Sequence, residues 1–163
     1  IGEALAHKAL ALGINVVALR QRAAPIELEG VETARDIHDL FARADHLVLA
    51  APLTEATRHI VNRDVLGSAK PGLHLINIAR GGLLDQEALL EALDNGRIGL
   101  ASLDVTEPEP LPDGHPLYTH PRVRLSPHTS AISTNSRQEI AETFLANLER
   151  YVSGSALANV VDR

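Results

Sequence analysis

Five short apolar runs set the frame of this chain: INVVAL (14–19), HLVLAA (46–51), LHLINI (73–78), IGLASLDV (98–105) and VRLS (123–126). Each reads as a buried strand, because runs of this length rich in Val, Ile and Leu and bounded by Gly, Pro or charge suit a sheet covered on both faces. Between them lie helical patterns. Ile1 to Leu12 puts Leu5, Ala9 and Leu12 on one face and stops at Gly13. Asp36 to Ala42 and Asn62 to Ser68 are shorter, and Gln86 to Asp94 has Asp85 as N-cap and Asn95-Gly96 as its stop. A long stretch, Ser133 to Val152, aligns Ile140, Phe144, Leu148 and Tyr151. Strands alternating with helices at this spacing predict an α/β fold, a doubly wound parallel sheet with right-handed crossovers. Ligands in such a sheet sit beyond the carboxyl ends of the strands.

The residues at those ends are Arg20 and Arg22, Ala51 and Pro52, Ile78 to Arg80, Asp104, and His128. The most telling stretch is LHLINIARGGLLD (73–85). Arg80 offers a planar fork of donors suited to a carboxylate, and Gly81-Gly82 would let backbone approach a bound molecule closely. A surface arginine before a Gly-Gly turn would read the same way. Gly2 would be the last glycine of a phosphate loop, although one glycine at a helix start is also a plain N-cap. Arg20 follows Gly2 by about 18 residues, the spacing at which a dinucleotide fold places an acid for the ribose 2′-OH. Here Arg20 and Arg22 stand instead, a pair suited to a 2′-phosphate unless both are solvated loop charges. His128 after a strand and Glu109 in a proline-rich loop could pair for proton transfer, since a carboxylate stabilises imidazolium. Seven other histidines occur in the chain, and most are expected at the surface.

Composition narrows the classes. A net charge of −6, from 15 basic and 21 acidic residues, offers no basic patch for nucleic acid. No apolar run approaches the roughly 20 residues of a membrane span. With no cysteine and no His-x-x-x-His pattern, neither a disulfide framework nor a metal site is expected, and a reducing cytoplasm is the expected setting. The chain opens inside a helical pattern at Ile1-Gly2 and has no methionine, so a longer parent is expected.

The runs PLTEATRHIVN (52–62), INIARGGLLDQEALLEAL (76–93), LDVTEPEPLP (103–112) and SPHTSA (126–131) resemble the D-isomer-specific 2-hydroxyacid dehydrogenases. The resemblance covers essentially the whole chain, with four motifs in order. It implies a Rossmann-type dinucleotide-binding domain over 1–132, incomplete at its N-terminus, and a crossover helix and tail over 133–163 returning to a substrate domain. It places the family's catalytic arginine, glutamate and histidine on Arg80, Glu109 and His128, with Glu107 a competitor for the glutamate. Asp104 matches the position near the nicotinamide carboxamide. Ala51, Pro52, Ile78, Ala79 and Ser130 match cofactor-lining residues, and Ile1 the end of the phosphate loop. The basic pair Arg20/Arg22 resembles that of NADPH-linked glyoxylate/hydroxypyruvate reductases, so NADP is favoured, with NAD as the alternative. The implied partners are a small 2-oxo or 2-hydroxy acid and a second copy of the chain. Two other readings stay open: a non-catalytic dinucleotide-sensing co-regulator, and another 2-hydroxyacid dehydrogenase such as a phosphoglycerate dehydrogenase.

Overall fold

The computed structural model describes residues 1–20, 26 and 28–160 of the 163-residue chain. Two compact units divide at His128/Thr129. The first opens with helix α1 (Gly2–Ala11), then strands β1 (Val16–Ala18) and β2 (Val31–Thr33) and helix α2 (Ile37–Arg43). It continues through β3 (His46–Leu49), α3 (Arg63–Gly67), β4 (Leu73–Asn77), α4 (Gln86–Asp94), β5 (Ile98–Leu103) and β6 (Val123–Leu125). Single 3₁₀ turns cover Gly81–Leu83 and Pro116–Tyr118.

All strand pairs are parallel, as the alternation of elements predicts. The expected single sheet is divided, however, into a β1-β2 pair and a four-stranded ladder in the order β3-β4-β5-β6. β2 is also a strand that the apolar pattern misses. Its residues Val31, Glu32 and Thr33 are at most half-buried, and pairing with β1 holds them extended.

Helix boundaries follow their caps. The Asp85 carboxylate accepts from Glu87 N at 3.1 Å and Ala88 N at 3.0 Å, and the Asn62 side chain accepts from Val65 N at 3.1 Å. Asp36 accepts from Asp39 N at 2.8 Å. These bonds satisfy N–H groups that a helix start leaves without partners. The core lies on one face of the larger sheet. Leu47, Leu73, Leu75, Ala101, Leu103 and Val123 meet Phe41 of α2, Val65 and Leu66 of α3, and Leu89 and Leu93 of α4. Burying one such leucine contributes about 1.5–3 kcal/mol.

The opposite face is half-buried and partly polar. There His46 and His74, partners across β3 and β4, bring their Nδ1 atoms to 3.3 Å, while His74 Nε2 lies 2.9 Å from Ser102 Oγ. Burial, and then the neighbouring His46, push the His74 imidazole below its ordinary value of 6.5. The folded state therefore resists a proton that the unfolded chain takes up. Stability is expected to fall as pH drops from about 6.5 towards the lower folded value. Replacing His74 with glutamine should flatten the thermal midpoint between pH 7 and pH 5. Parallel midpoint curves for the two proteins would refute this.

The second unit holds α5 (Ser136–Val152), three residues shorter at its start than the apolar pattern suggests. Its tail is pinned to the helix where Asn147 Nδ2 donates to Ala158 O at 3.1 Å and Asn147 Oδ1 accepts from Ala158 N at 2.8 Å. Among the described residues no helix is long and apolar enough to cross a membrane.

Candidate active site

The carboxyl ends of β4, β5 and β6 are stitched together by polar groups, and Asn77 is the first of these. It ends β4 fully buried. Its Oδ1 accepts from Ala79 N at 3.0 Å and its Nδ2 donates to Arg80 O at 3.0 Å, so the Ile78–Arg80 turn is held from inside. Its carbonyl accepts from Asp104 N at 2.9 Å, tying β4 to β5. A buried amide with all its groups engaged is rigid and specific. In the sequence Asn77 is marked only as a lone polar residue inside an otherwise apolar run.

Arg80 then emerges exposed, with Nη1 donating to Ala79 O at 2.6 Å. The glycines after it make room for the protein's own chain. A Cβ on Gly81 would stand 2.1 Å from the Thr106 carbonyl group, and one on Gly82 would stand 3.1 Å from both carboxylate oxygens of Glu107 and from Leu53.

Asp104 is buried and accepts from Ser126 Oγ at 2.5 Å, which joins β5 to the end of β6. Its carbonyl accepts from His128 N at 3.0 Å. His128 is thereby held at φ +53, in the left-handed region that costs a side-chain-bearing residue about 1–3 kcal/mol and tends to occur at functional sites. In that conformation His128 Nδ1 lies 2.7 Å from Glu109 Oε1. Both side chains are about two-fifths exposed, so solvent screens the pair and a binding partner can reach it.

Glu107 faces elsewhere. Arg58 Nη1 donates to both of its carboxylate oxygens at 2.9 Å, and His59 Nε2 is 3.4 Å away. The Arg58 guanidinium holds the Glu107 carboxyl below the usual carboxylate range, against a smaller opposing effect of burial.

Six of the residues expected to line a cofactor, Ile1, Ala51, Pro52, Ile78, Ala79 and Arg80, border one cleft of about 610 Å³ together with Ala50 and Leu53. The loop beyond β3 is fixed by buried Thr57, whose Oγ1 donates to Pro52 O at 2.7 Å and accepts from Thr54 N at 2.7 Å. A larger depression of about 760 Å³ contains none of the candidates. Its polar groups include the helix caps Asn62 and Asp85, so it is accounted for structurally.

Arg20 follows β1 and is exposed, on the two-stranded pair. Gly2 begins α1 with open space where its Cβ would be, so among the described residues no close approach requires glycine there. Ser130 belongs to the second unit, and Arg22 lies outside the described residues. Among the described residues no group of three His, Cys, Asp or Glu side chains could hold a metal ion.

Residues 1–130 match the model of the D-isomer specific 2-hydroxyacid dehydrogenase, NAD binding domain. The chain is 40 % identical over 167 residues to D-3-phosphoglycerate dehydrogenase of Methanocaldococcus jannaschii, covering 99 % of this chain and 31 % of that protein. It is 39 % identical over 165 residues to glyoxylate/hydroxypyruvate reductase B of Serratia proteamaculans, covering 99 % of this chain and 50 % of that protein. Among solved structures, a D-isomer specific 2-hydroxyacid dehydrogenase of Xanthobacter autotrophicus, in complex with NADPH and MES, superposes with a TM-score of 0.85 at 34 % identity. That match covers 96 % of this chain and 66 % of that one. The chain thus spans half or less of the length of the two named enzymes. Strand-end chemistry, fold and sequence agree: the chain belongs to the D-isomer specific 2-hydroxyacid dehydrogenase family, of which it carries the NAD-binding domain.

Proposed function

We propose that the full-length protein reduces a small 2-oxo acid to the D-2-hydroxy acid with a nicotinamide dinucleotide, as a glyoxylate/hydroxypyruvate-type reductase. The observation that carries this reading is the 2.7 Å contact of His128 with Glu109 at the end of β6. Arg80 stands two strands away at the end of β4, roughly 10 Å across the sheet, a span that a small oxo acid can bridge between two side chains.

The cleft suits the expected cofactor. Ala50, Ala51 and Ala79 leave backbone accessible, and Pro52, Leu53 and Ile78 offer apolar walls for a flat ring. Ile1, Ala51, Pro52, Ile78 and Ala79 would line it, with Asp104 completing the set. When bound, the dinucleotide supplies the hydride for the carbonyl carbon. His128 gives a proton to the carbonyl oxygen from Nε2, while Glu109 accepts from Nδ1–H and orients the ring. Arg80 receives the substrate carboxylate and draws the carbonyl towards His128.

Turnover of glyoxylate or hydroxypyruvate by the full-length gene product, followed by loss of reduced cofactor, tests the reading. No turnover of either acid with either cofactor would defeat it. The 40 % identity to a phosphoglycerate dehydrogenase supports a second reading. A higher kcat/KM on 3-phosphoglycerate oxidation would favour that one. The family resemblance further implies a homodimer, which sedimentation of the full-length protein would test.

Arg20 and Arg22 set the cofactor preference in this reading. Each charge-assisted contact to a 2′-phosphate contributes about 1.5–3 kcal/mol before exposure is discounted. With the exposure of Arg20 discounted, the two arginines are expected to favour NADPH over NADH by about one to two orders of magnitude in kcat/KM. Arg20→Asp combined with Arg22→Ser should abolish that preference. A wild type that prefers NADH, or an unchanged ratio in the double variant, would refute the clamp on phosphate.

A further inference from the structure

We propose that Arg58, Glu107 and Gln86 form a positioning clamp that sets Glu109 against His128 in register with Arg80. The inference rests on the dehydrogenase reading of those three residues.

Glu107 is held on every side that the chain offers. Its backbone is paired by one side-chain amide, as in a strand: Gln86 Nε2 donates to Glu107 O at 2.5 Å, and Glu107 N donates to Gln86 Oε1 at 3.0 Å. Its carboxylate takes both 2.9 Å bonds from Arg58. The same carboxylate sits over Gly82, where a Cβ would come within 3.1 Å, and the preceding Thr106 carbonyl is seated on Gly81. Arg58 in turn belongs to a segment stapled to that turn, since His59 N donates to Gly82 O at 2.8 Å and Val61 N to Leu83 O at 3.0 Å.

Three segments therefore meet at Glu107: the loop after β3, the turn that follows Arg80, and the first residue of α4. Glu109 lies two residues further along, and two residues of chain span at most about 7 Å. Fixing Glu107 fixes where Glu109 can start. An ion pair exposed like Arg58–Glu107, at 51 % and 39 %, contributes little to stability. Its consequence is geometric, because misplacing a reacting group by about 1 Å can cost on the order of 10²-fold in rate.

The test uses the full-length gene product with Arg58→Ala, Arg58→Lys, Glu107→Gln and the Arg58→Ala/Glu107→Gln double variant. Arg58→Ala and Glu107→Gln are each expected to lower kcat by about tenfold to a hundredfold with the KM for the oxo acid within about twofold. The double variant should be no worse than either single, and Arg58→Lys should recover most of the rate. Ring ¹⁵N shifts of neutral His128 provide a readout independent of turnover. The Nδ1–H form that Glu109 accepts from should dominate in the wild type and give way to Nε2–H in Arg58→Ala. A wild-type kcat together with an unchanged tautomer ratio in Arg58→Ala and Glu107→Gln would overturn the clamp. If the wild type reduces no 2-oxo acid, the dehydrogenase reading fails, and the tautomer ratio alone still decides the clamp. If Arg58→Ala does not fold, the near-isosteric Glu107→Gln decides it by the same measures.

Discussion

Replacing His128 with glutamine is expected to lower kcat for 2-oxo acid reduction by about 10²–10⁴-fold at every pH, the usual contribution of a positioned general acid. Glutamine keeps much of the size and some of the hydrogen bonding of the imidazole, but it cannot release a proton. The backbone should not relax elsewhere, because His128 N is bound to Asp104 O at 3.0 Å and Asp104 is anchored to Ser126 and to Asn77. Cofactor affinity should therefore survive. Glu109→Gln should behave differently. The 2.7 Å contact to Nδ1 persists, but a charged acceptor has become a neutral one, so the bond that orients the ring is weaker. Glu109→Gln leaves the proton donor in place and is expected to lower kcat by about 10²-fold through its misplacement. That loss should be at least as large as in Glu107→Gln, because Glu107 is paired with Arg58 and touches His128 only through the chain. Full activity in His128→Gln would remove the histidine from the chemistry. Wild-type kcat in Glu109→Gln would remove the glutamate.

Much of the fold was legible because local signals agreed with the final packing. The helix Gln86–Asp94 has the cap, apolar face and stop that its residues announce, with Asp85 accepting from two N–H groups and Ala88, Leu89, Ala92 and Leu93 buried. β4 alternates between buried and half-buried residues along a run whose composition already marks a strand. The parts missed depend on partners distant in sequence. β2 is a strand only because β1 lies beside it. The division of the sheet into two ladders depends on which strands are neighbours, which no local pattern records. What fills the missing Cβ volume at Gly81-Gly82 is distant in the same way, since Thr106 and Glu107 lie over twenty residues further on. Glu107 illustrates the limit at the site. Its spacing from Asp104 tells against it as the glutamate, but its partner Arg58, 49 residues away, is in no local pattern. The strand-end rule, by contrast, needs only topology, and it points to Arg80, Asp104 and His128 without any distance.

Arg80→Lys is the second large effect, and it separates charge from shape. The substitution keeps a positive charge at the end of β4 and leaves intact the frame that aims it. Asn77 still holds the Arg80 carbonyl, and Gly81 still sits against Thr106. One side-chain bond of Arg80, Nη1 to Ala79 O at 2.6 Å, could be replaced by an ammonium. The planar fork could not, because an ammonium is a compact point charge on a flexible stem and cannot meet a carboxylate with two parallel bonds. Losing one charge-assisted bond of about 1.5–3 kcal/mol corresponds to roughly a tenfold to hundredfold loss in kcat/KM. Because the cleft is bordered mainly by small and apolar residues of the β3 and β4 ends, cofactor titration should change by less than about threefold. Steady-state kinetics with a 2-oxo acid, set beside fluorescence titration of reduced cofactor, checks both halves. An activity loss below about threefold would show that charge alone suffices, and the bidentate role of Arg80 would fall. Equal losses in turnover and cofactor affinity would instead make Arg80 part of the cofactor's cradle, and the substrate carboxylate would need another cation.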